Sequence, residues 1–317
     1  MKQAECTGAA DPRGTPAPPS QPPEPAGETW REALERHRRW LDGEAGGEVC
    51  QLRHVKIEGL RAPRARLARG AFFRVELPAA DLHAAALEGS QWEACDLSLA
   101  NLAGAVLDGA TLEEVLLHDA CLASASLCGA VLDACPMEKA RAPASRWMEA
   151  RIGRVDFSGA LLPDASFHKA SLLECLFSET ELARSLFYGA ALRFCRFVRC
   201  RGEDLRFNGA LLQHCRFENC RLDRARFPGA DLGGSSFHDC SLAGCDFRGA
   251  RLRGTQFAGA RLQGARLDDA SCVGADFRGA NLQGTQGLTL HQLLQARTDP
   301  STILPWGSPG PAMRGSR

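Results

Sequence analysis

Residues 230–284 read ADLGG SSFHD CSLAG CDFRG ARLRG TQFAG ARLQG ARLDD ASCVG ADFRG ANLQG, a stretch with a period of five residues. The third residue of nearly every pentad is a large apolar one, mostly Leu or Phe, and the first is small. The same period runs without insertion or deletion from Leu52 to Leu282. It predicts a linear repeat in which each unit buries its apolar side chains against its neighbours.

A second period of twenty residues groups the pentads in fours. One column of large residues consists of Phe157, Phe177, Phe197, Phe217, Phe237, Phe257 and Phe277. A second column consists of Phe167, Phe187, Phe207, Phe227 and Phe247. Columns of this spacing predict a four-sided coil with the two Phe columns on opposite faces and Leu columns between them. Alternating bulky and slim walls would fill a narrow interior without voids.

The units Ala230-Asp231-Leu232 and Ala280-Asn281-Leu282 follow the pattern A-(D/N)-L-x-x, which resembles the pentapeptide-repeat family over residues 50–286. The resemblance implies an all-β fold, a right-handed quadrilateral β-solenoid in which four pentapeptides make one coil. The length of the repeat then corresponds to about twelve coils. Gly is common two places after the large residue, as at Gly209, and suits a type II corner turn there.

The N-terminal part of the chain departs from the period. Residues 1–27 carry seven prolines and few large apolar groups, so we expect a disordered tail. In residues 28–48, the side chains Trp30, Leu34, His37 and Leu41 fall on one helical face. This segment predicts a helix that caps the first coil of the solenoid, which we expect to span residues 49–286.

Residues 287–317 predict a second capping helix and a tail. Thr289 precedes a short apolar run and is the expected N-cap of this helix. Ile303, Leu304 and Trp306 follow as an apolar segment that either folds back onto the rod or docks a second copy. A homodimer through this C-terminal cap is therefore one of the expected assemblies.

Ten of the fourteen cysteines occupy the small inward position: Cys50, Cys95, Cys135, Cys175, Cys195, Cys200, Cys215, Cys220, Cys240 and Cys245. Free Cys at such a position behaves as a small buried hydrophobe in place of Ala or Val. Stacked thiols imply reduced chemistry, so we expect a cytoplasmic protein. Cys121 and Cys128 lie off this register and are the expected reactive thiols.

No motif for catalysis or for a cofactor is visible in the sequence. It has no phosphate-binding loop, dinucleotide fingerprint or nucleophile elbow, and no apolar run for a signal peptide or a membrane span. The eight histidines form no ligand set; His118 and His238 share a column but lie six coils apart. Since the repeat leaves no cleft of its own, we expect no enzyme activity, no cofactor and no metal.

Charge is segregated along the chain, although 38 basic residues balance 38 acidic ones. From Val75 to Glu138 there are eleven acidic residues and no Lys or Arg. Outward columns in this zone contain Glu93, Glu113 and Asp133, and also Glu88 and Asp108. A basic zone holds the stacked pairs Arg196 and Arg216, Arg201 and Arg221, and Arg206 and Arg226. Like charges one coil apart repel, so the zones indicate either ordinary solvated surface or patches that select a charged partner.

One face is less regular than the others. Ala62, Ala142 and Gly202 replace the large residue in a single column, and Pro63, Pro143 and Pro163 follow in the adjacent corner column. Because proline removes a backbone donor, we expect bulges or bends to collect there. Leu205, at a normally small position, is expected to refill the void beside Gly202.

The first functional hypothesis is a non-enzymatic protein-interaction scaffold or adaptor whose protein partner is unknown. The family resemblance adds a second, a DNA mimic that binds a type II topoisomerase, for which only the coils between Glu76 and Asp133 are suitably acidic. Residues 34–41 are similar to a leader found in bacterial proteins linked to type VI secretion, which suggests an accessory adaptor. Interleaved acids and the lack of exposed aromatics count against direct nucleic-acid binding through the arginine zone.

Overall fold

The protein is a parallel β-solenoid, as the sequence predicted. A computed structural model describes residues 30–311, so the expected tail at residues 1–27 lies outside the described residues. The strands are β1 Gln51–Arg53, β2 Ala71–Phe73, β3 Gln91–Glu93, β4 Thr111–Glu113, β5 Val131–Asp133, β6 Arg151–Gly153, β7 Ser171–Leu173, β8 Leu176–Ser178, β9 Ala191–Arg193, β10 Arg196–Val198, β11 Leu211–Gln213, β12 Arg216–Glu218 and β13 Ser236–His238. Each pairs in parallel with residues twenty positions away.

The strands form two sheets on different faces of the rod. The larger has nine strands in the order β1-β2-β3-β4-β5-β6-β7-β9-β11, and the smaller has the order β13-β12-β10-β8. The ladder of the larger sheet continues as single bridges through Asp231, Arg251 and Ser271. The expected count of about twelve coils is therefore reached only when these single-bridge rungs are counted with the nine strands.

Backbone hydrogen bonds between successive coils hold this register. The Leu77 N–H donates to the Asp96 carbonyl at 2.7 Å, and the Asp96 N–H donates to the Val75 carbonyl at 2.9 Å. At the corners the backbone is left-handed, with φ of 62° at Gly209 and 55° at His214. The corner position is thus favourable for glycine, as expected, but it also holds other residues.

The large and small positions of the pentads fill the interior. The Phe197 ring stacks between Phe177 and Phe217, with ring-centroid distances of 4.5 and 4.4 Å. Phe227 from the second column meets Phe237 edge-on at 5.7 Å, so the two Phe columns touch across the core. Each aromatic pair adds about 0.5–1.5 kcal/mol beyond its area burial.

The ten cysteines at the small position are all buried, as predicted. Burial raises the pKa of the Cys135 thiol to about 11, so the thiol stays protonated at neutral pH. The Cys195 thiol donates a weak hydrogen bond to the Leu172 carbonyl at 3.7 Å. Cys121 and Cys128 are only partly buried, and their greater reactivity stays a prediction.

The expectation of bulges on the irregular face is wrong. The bridges Arg61 with Asp81 and Arg141 with Leu161 keep the twenty-residue register beside two of the prolines. The reason is that the amide after the large residue does not serve the ladder on this face. At the corresponding place Ala103 donates its N–H to the Asn101 side chain at 3.2 Å. Proline there costs no inter-coil hydrogen bond.

Leu205 fills the space beside Gly202, as the sequence predicted. Leu205 is fully buried, and a Cβ added at Gly202 would lie 2.9 Å from its Cδ2 and 3.0 Å from Leu222 Cδ2. Both contacts are closer than side-chain carbons tolerate. In this coil Gly202 therefore stands at the usual position of the large residue and Leu205 at that of the small one, and the backbone is unchanged.

An N-terminal helix, α1 (Trp30–Leu41), packs on the first coil. His37 is fully buried in it, and its Nδ1 accepts the Cys50 N–H at 2.9 Å. The Trp40 ring stacks on the imidazole at 5.5 Å. Burial lowers the pKa of His37, and the nearby charge of Arg66 acts in the same direction.

A C-terminal helix, α2 (Leu290–Gln295), covers the last coil. Thr289 caps it as predicted, through a capping box with Gln292. The tail then folds back, since Ile303 bridges Asn281 as an additional rung and Leu304 is buried. The side chains of Leu290, Leu294 and Trp306 stay 68%, 85% and 59% exposed. The homodimer expected at this end stays a prediction.

Exchange of the residues at positions 202 and 205 tests the packing around Gly202. Gly202→Leu alone should destabilise the protein by about 1–3 kcal/mol, because Leu205 already occupies the space. Adding Leu205→Ala restores the usual order of large and small residue. The double variant should recover most of the loss in a urea unfolding titration. A double variant no more stable than Gly202→Leu would contradict this packing.

Acid should loosen the N-terminal cap. Because the pKa of His37 is lowered in the folded state, the undocked helix binds the proton more readily. The docking free energy should be constant above about pH 7 and should fall as the pH drops through the ordinary histidine pKa of about 6.5. Amide protection factors at residues 50–60 report this loss. His37→Gln, which accepts the same N–H without titrating, should show a flat profile; an equally steep one would refute the role of His37.

Candidate interaction face

The acidic column lies on the face formed by the nine-stranded sheet. Glu93, Glu113 and Asp133 end the adjacent strands β3, β4 and β5 and are paired in register. In each strand the central residue is buried, as Leu112 shows, while the residues on either side point outward. Strand alternation therefore sets three carboxylates in a line along the rod.

Only one of these three carboxylates forms an ion pair. Arg154 spans the Asp133 carboxylate with two hydrogen bonds, one of them from Nε to Oδ1 at 3.0 Å. Gly153, opposite Asp133 in the ladder, leaves the path free of a side chain. Within residues 30–311, Glu93 and Glu113 form no ion pair with any basic residue. Two neighbouring carboxylates are thus left open to solvent and to a partner.

The second acidic column is not presented in the same way. Asp108 accepts hydrogen bonds from Ser126 Oγ at 2.5 Å and from the Cys128 N–H at 2.9 Å. One carboxylate oxygen of Glu88 is buried without a hydrogen-bond partner. Glu88 and Asp108 were predicted as interaction residues, but Asp108 is engaged in contacts within the rod.

The open carboxylates line one side of a groove of about 300 Å³ on the same face. Gln51, Gln91 and Thr111 line the other side. Phe73 also lines the groove, with the guanidinium groups of Arg53 and Arg74 at 5.5 and 5.0 Å from its ring centroid. These are favourable cation–π distances. The face is therefore basic and aromatic at its N-terminal end and acidic further along.

The predicted arginine pairs stack in register but do not form one patch. Arg196 with Arg216, Arg201 with Arg221, and Arg206 with Arg226 are ladder neighbours on three consecutive faces. The first member of each pair also has a polar contact within the rod. Arg196 lies 3.9 Å from Glu218, Arg201 lies 3.1 Å from Glu181, and Arg206 donates to the Tyr188 hydroxyl at 3.0 Å.

Carboxylates interleaved in the basic zone neutralise much of its charge. Arg184 pairs with Asp164, Arg199 with Glu179 and Arg224 with Asp204, each across one coil. The hydrogen bond from Arg184 lowers the pKa of Asp164, and the bond from Arg224 does so for Asp204. Several acids in this part of the rod thus have a cation one coil away, whereas the ladder neighbours of Glu93 and Glu113 include no cation.

The groove and the Asp133–Arg154 pair were missed in the sequence. Arg154 stands twenty-one residues after Asp133, one position beyond the aligned Gly153, so a search for opposite charges twenty residues apart does not find the pair. Phe73 was missed because it lies at an outward position, and the five-residue period predicts apolar residues only at inward positions. The stacking of exposed Phe194 on His214 at 5.5 Å, on the same face, escaped for that reason too.

Two other classes of site receive no support from the described residues. Residues 30–311 contain no cluster of three or more His, Cys, Asp or Glu side chains able to hold a metal ion. Neither helix in that range is long and apolar enough to cross a membrane.

Family comparisons match the repeat directly. The model for "Pentapeptide repeat region" matches residues 170–247, and the model for "Pentapeptide repeats (8 copies)" matches residues 76–110, 95–133 and 245–284. Together these matches cover more than half of the chain. The chain belongs to the pentapeptide-repeat family. No protein with a curated description matches it.

Solved structures of the same family resemble this pentapeptide-repeat protein. HetL, a pentapeptide repeat protein involved in heterocyst differentiation regulation from the cyanobacterium Nostoc sp. strain PCC 7120, is 25% identical. The alignment covers 86% of this chain and 97% of HetL, with a TM-score of 0.39. QnrB1, a plasmid-mediated fluoroquinolone resistance protein, is 14% identical over 78% of this chain and 93% of its own, with a TM-score of 0.28.

Removing one open carboxylate should stabilise the rod. Glu113→Gln relieves repulsion from the stacked Glu93 and should raise the melting temperature by about 1–3 °C in low salt. The gain should shrink in 1 M NaCl, where the screening length is about 3 Å. Glu149→Gln, on an exposed corner of another face, is the control and should change little. A loss of stability in Glu113→Gln, or a gain that salt leaves unchanged, would refute uncompensated repulsion.

Proposed function

We propose that this pentapeptide-repeat protein is a non-catalytic scaffold or adaptor that binds a protein partner through the face of the nine-stranded sheet. The observation that carries the proposal is the pair of open carboxylates, Glu93 and Glu113, stacked in register and forming no ion pair within residues 30–311. Like charges at this spacing destabilise a sheet. A binding partner that supplies the missing cations explains why a chain rich in internal Arg pairs keeps this pair open.

The groove beside these carboxylates provides a concave surface next to the charged groups. It offers amide and hydroxyl groups along one side and an aromatic ring at one end. Polar groups that fix orientation next to an aromatic contact are typical of protein recognition surfaces. We also propose a cytoplasmic location, which the thirteen free thiols among the described residues support.

A DNA mimic that binds a type II topoisomerase fits the same face less well. Duplex DNA carries one negative charge per about 1.7 Å of its axis. Here Asp133 is neutralised by Arg154, and Arg53 and Arg74 make the N-terminal end of the face basic. The open acidic stretch is therefore two rungs long.

The adaptor role in type VI secretion rests on residues 34–41 alone. In the structure these residues belong to α1, where His37 and the partly buried Leu34 contact the core. The role of residues 34–41 as a helix docked onto the first coil is therefore sufficient to explain their similarity to the leader segment.

The proposal is tested by isolating a partner with the full-length protein and reconstituting the complex from purified components. The dissociation constant is then measured for the wild type, for Glu93→Gln/Glu113→Gln and for the control Asp119→Asn/Glu149→Gln. All four positions are exposed, so each double variant should fold.

The face variant should bind at least tenfold more weakly, and the control should stay within twofold of the wild type. Equal affinity of all three proteins would remove this face from the binding site. A topoisomerase partner that duplex DNA displaces competitively would favour the mimic instead.

A further inference from the structure

One column of outward side chains along the groove has a definite chemical order. Arg53, Phe73, Glu93 and Glu113 occupy the same place in β1, β2, β3 and β4, and the ladder pairs each with the next. The order is basic, aromatic, acidic, acidic. These four side chains lie on successive rungs, so their backbones are separated by about 4.8 Å per step.

A contact within the chain shows that a guanidinium group binds a carboxylate of this column. Asp133, the next rung, is held by the guanidinium of Arg154, which forms two hydrogen bonds with the carboxylate. This is the planar, bidentate geometry that guanidinium groups favour. Arg154 also attracts Glu113 from the next rung, but among the described residues no Arg forms an ion pair with Glu93 or Glu113. Each of these carboxylates is therefore open to a guanidinium from outside.

The spacing of the rungs determines which backbone conformation of a peptide ligand matches the column. Side chains on one face of an extended peptide repeat every two residues, at about 6.6–6.8 Å, which loses the register within two rungs. An α-helix rises about 1.5 Å per residue. Its positions i, i+3, i+7 and i+10 lie at about 0, 4.5, 10.5 and 15 Å along the axis. Four successive rungs lie at about 0, 4.8, 9.6 and 14.4 Å, a match within about 1 Å.

We propose that the groove binds an amphipathic α-helix of a partner protein, aligned with the rod, with an acidic, an apolar and two arginine side chains at i, i+3, i+7 and i+10. The acidic residue faces Arg53, the apolar one packs on Phe73, and the two arginines reach Glu93 and Glu113. Gln51, Gln91 and Thr111 border the helix on its other side. This inference rests on the proposed function and specifies the partner for the same face.

The charge order makes the interaction directional. The same helix bound in the opposite direction would place its arginines beside Arg53 and Arg74 and its carboxylate beside Glu113. Such like-charge contacts disfavour the wrong orientation. Order along the helix, and not net charge alone, should therefore decide the affinity.

The test uses the full-length protein and synthetic 18-residue alanine-based helices with a fluorescent label. The first peptide carries Glu, Leu, Arg and Arg at i, i+3, i+7 and i+10. The second has the same composition in the order Arg, Glu, Leu and Arg, which places an arginine beside Arg53 in either direction of the helix. Binding is followed by fluorescence anisotropy at low ionic strength, where charge pairs are least screened.

The first peptide should bind the wild type at least tenfold more tightly than the second. Glu93→Gln/Glu113→Gln should abolish that preference, while Asp119→Asn/Glu149→Gln should keep it. Equal binding of the two peptides would overturn the proposed register, and so would no binding of either.

The outcomes also separate this inference from the proposed function. If a natural partner loses affinity for Glu93→Gln/Glu113→Gln while the first peptide shows no preference, the face is a binding site but its ligand is not this helix. If the partner ignores the face and the ordered peptide still binds, the helix site exists but does not serve that partner.

Discussion

Parallel stacking of identical positions, twenty residues apart, is the constraint on which the structure depends. Each coil donates and accepts backbone hydrogen bonds with its neighbours, as between Leu77 and Asp96. Because the register never slips, any residue type repeated every twenty positions forms a column. Inside, this produces continuous stacks of Phe rings and of small Ala, Val and Cys residues. The same rule forces outward side chains into columns, whatever their charge.

The outward columns therefore carry information about function. Several acidic residues along the rod have a cation one coil away, as Asp164 has in Arg184. This arrangement converts stacking from a source of repulsion into one of weak attraction. In the described part of the chain, Glu93 and Glu113 form no ion pair, and they lie on the face that also carries the groove and Phe73. Repulsion between these two carboxylates destabilises the free rod, and a partner that supplies cations would remove that repulsion.

The sequence predicted the interior well and the surface poorly. Every inward position follows from the five-residue period, and so does the way Leu205 compensates for Gly202, because burial is decided by position in the coil. The bulges expected at Pro63 and Pro143 do not occur, since the amides they replace are not used by the ladder. The Asp133–Arg154 pair depends on the reach of a long side chain. The period alone does not encode that reach.

The most direct test of the account is to delete residues 156–175, one complete coil, and to compare the product with a deletion of residues 156–170. Both keep the five-residue period, but only the first keeps every column aligned. The first should retain cooperative melting and the preference for the ordered helical peptide, because the groove lies in other coils. The second places Phe and Leu columns on the wrong faces and should lose cooperative melting. Equal stability of the two deletions would contradict four-sided stacking. Loss of folding in both would contradict the claim that one coil can stack in the place of another.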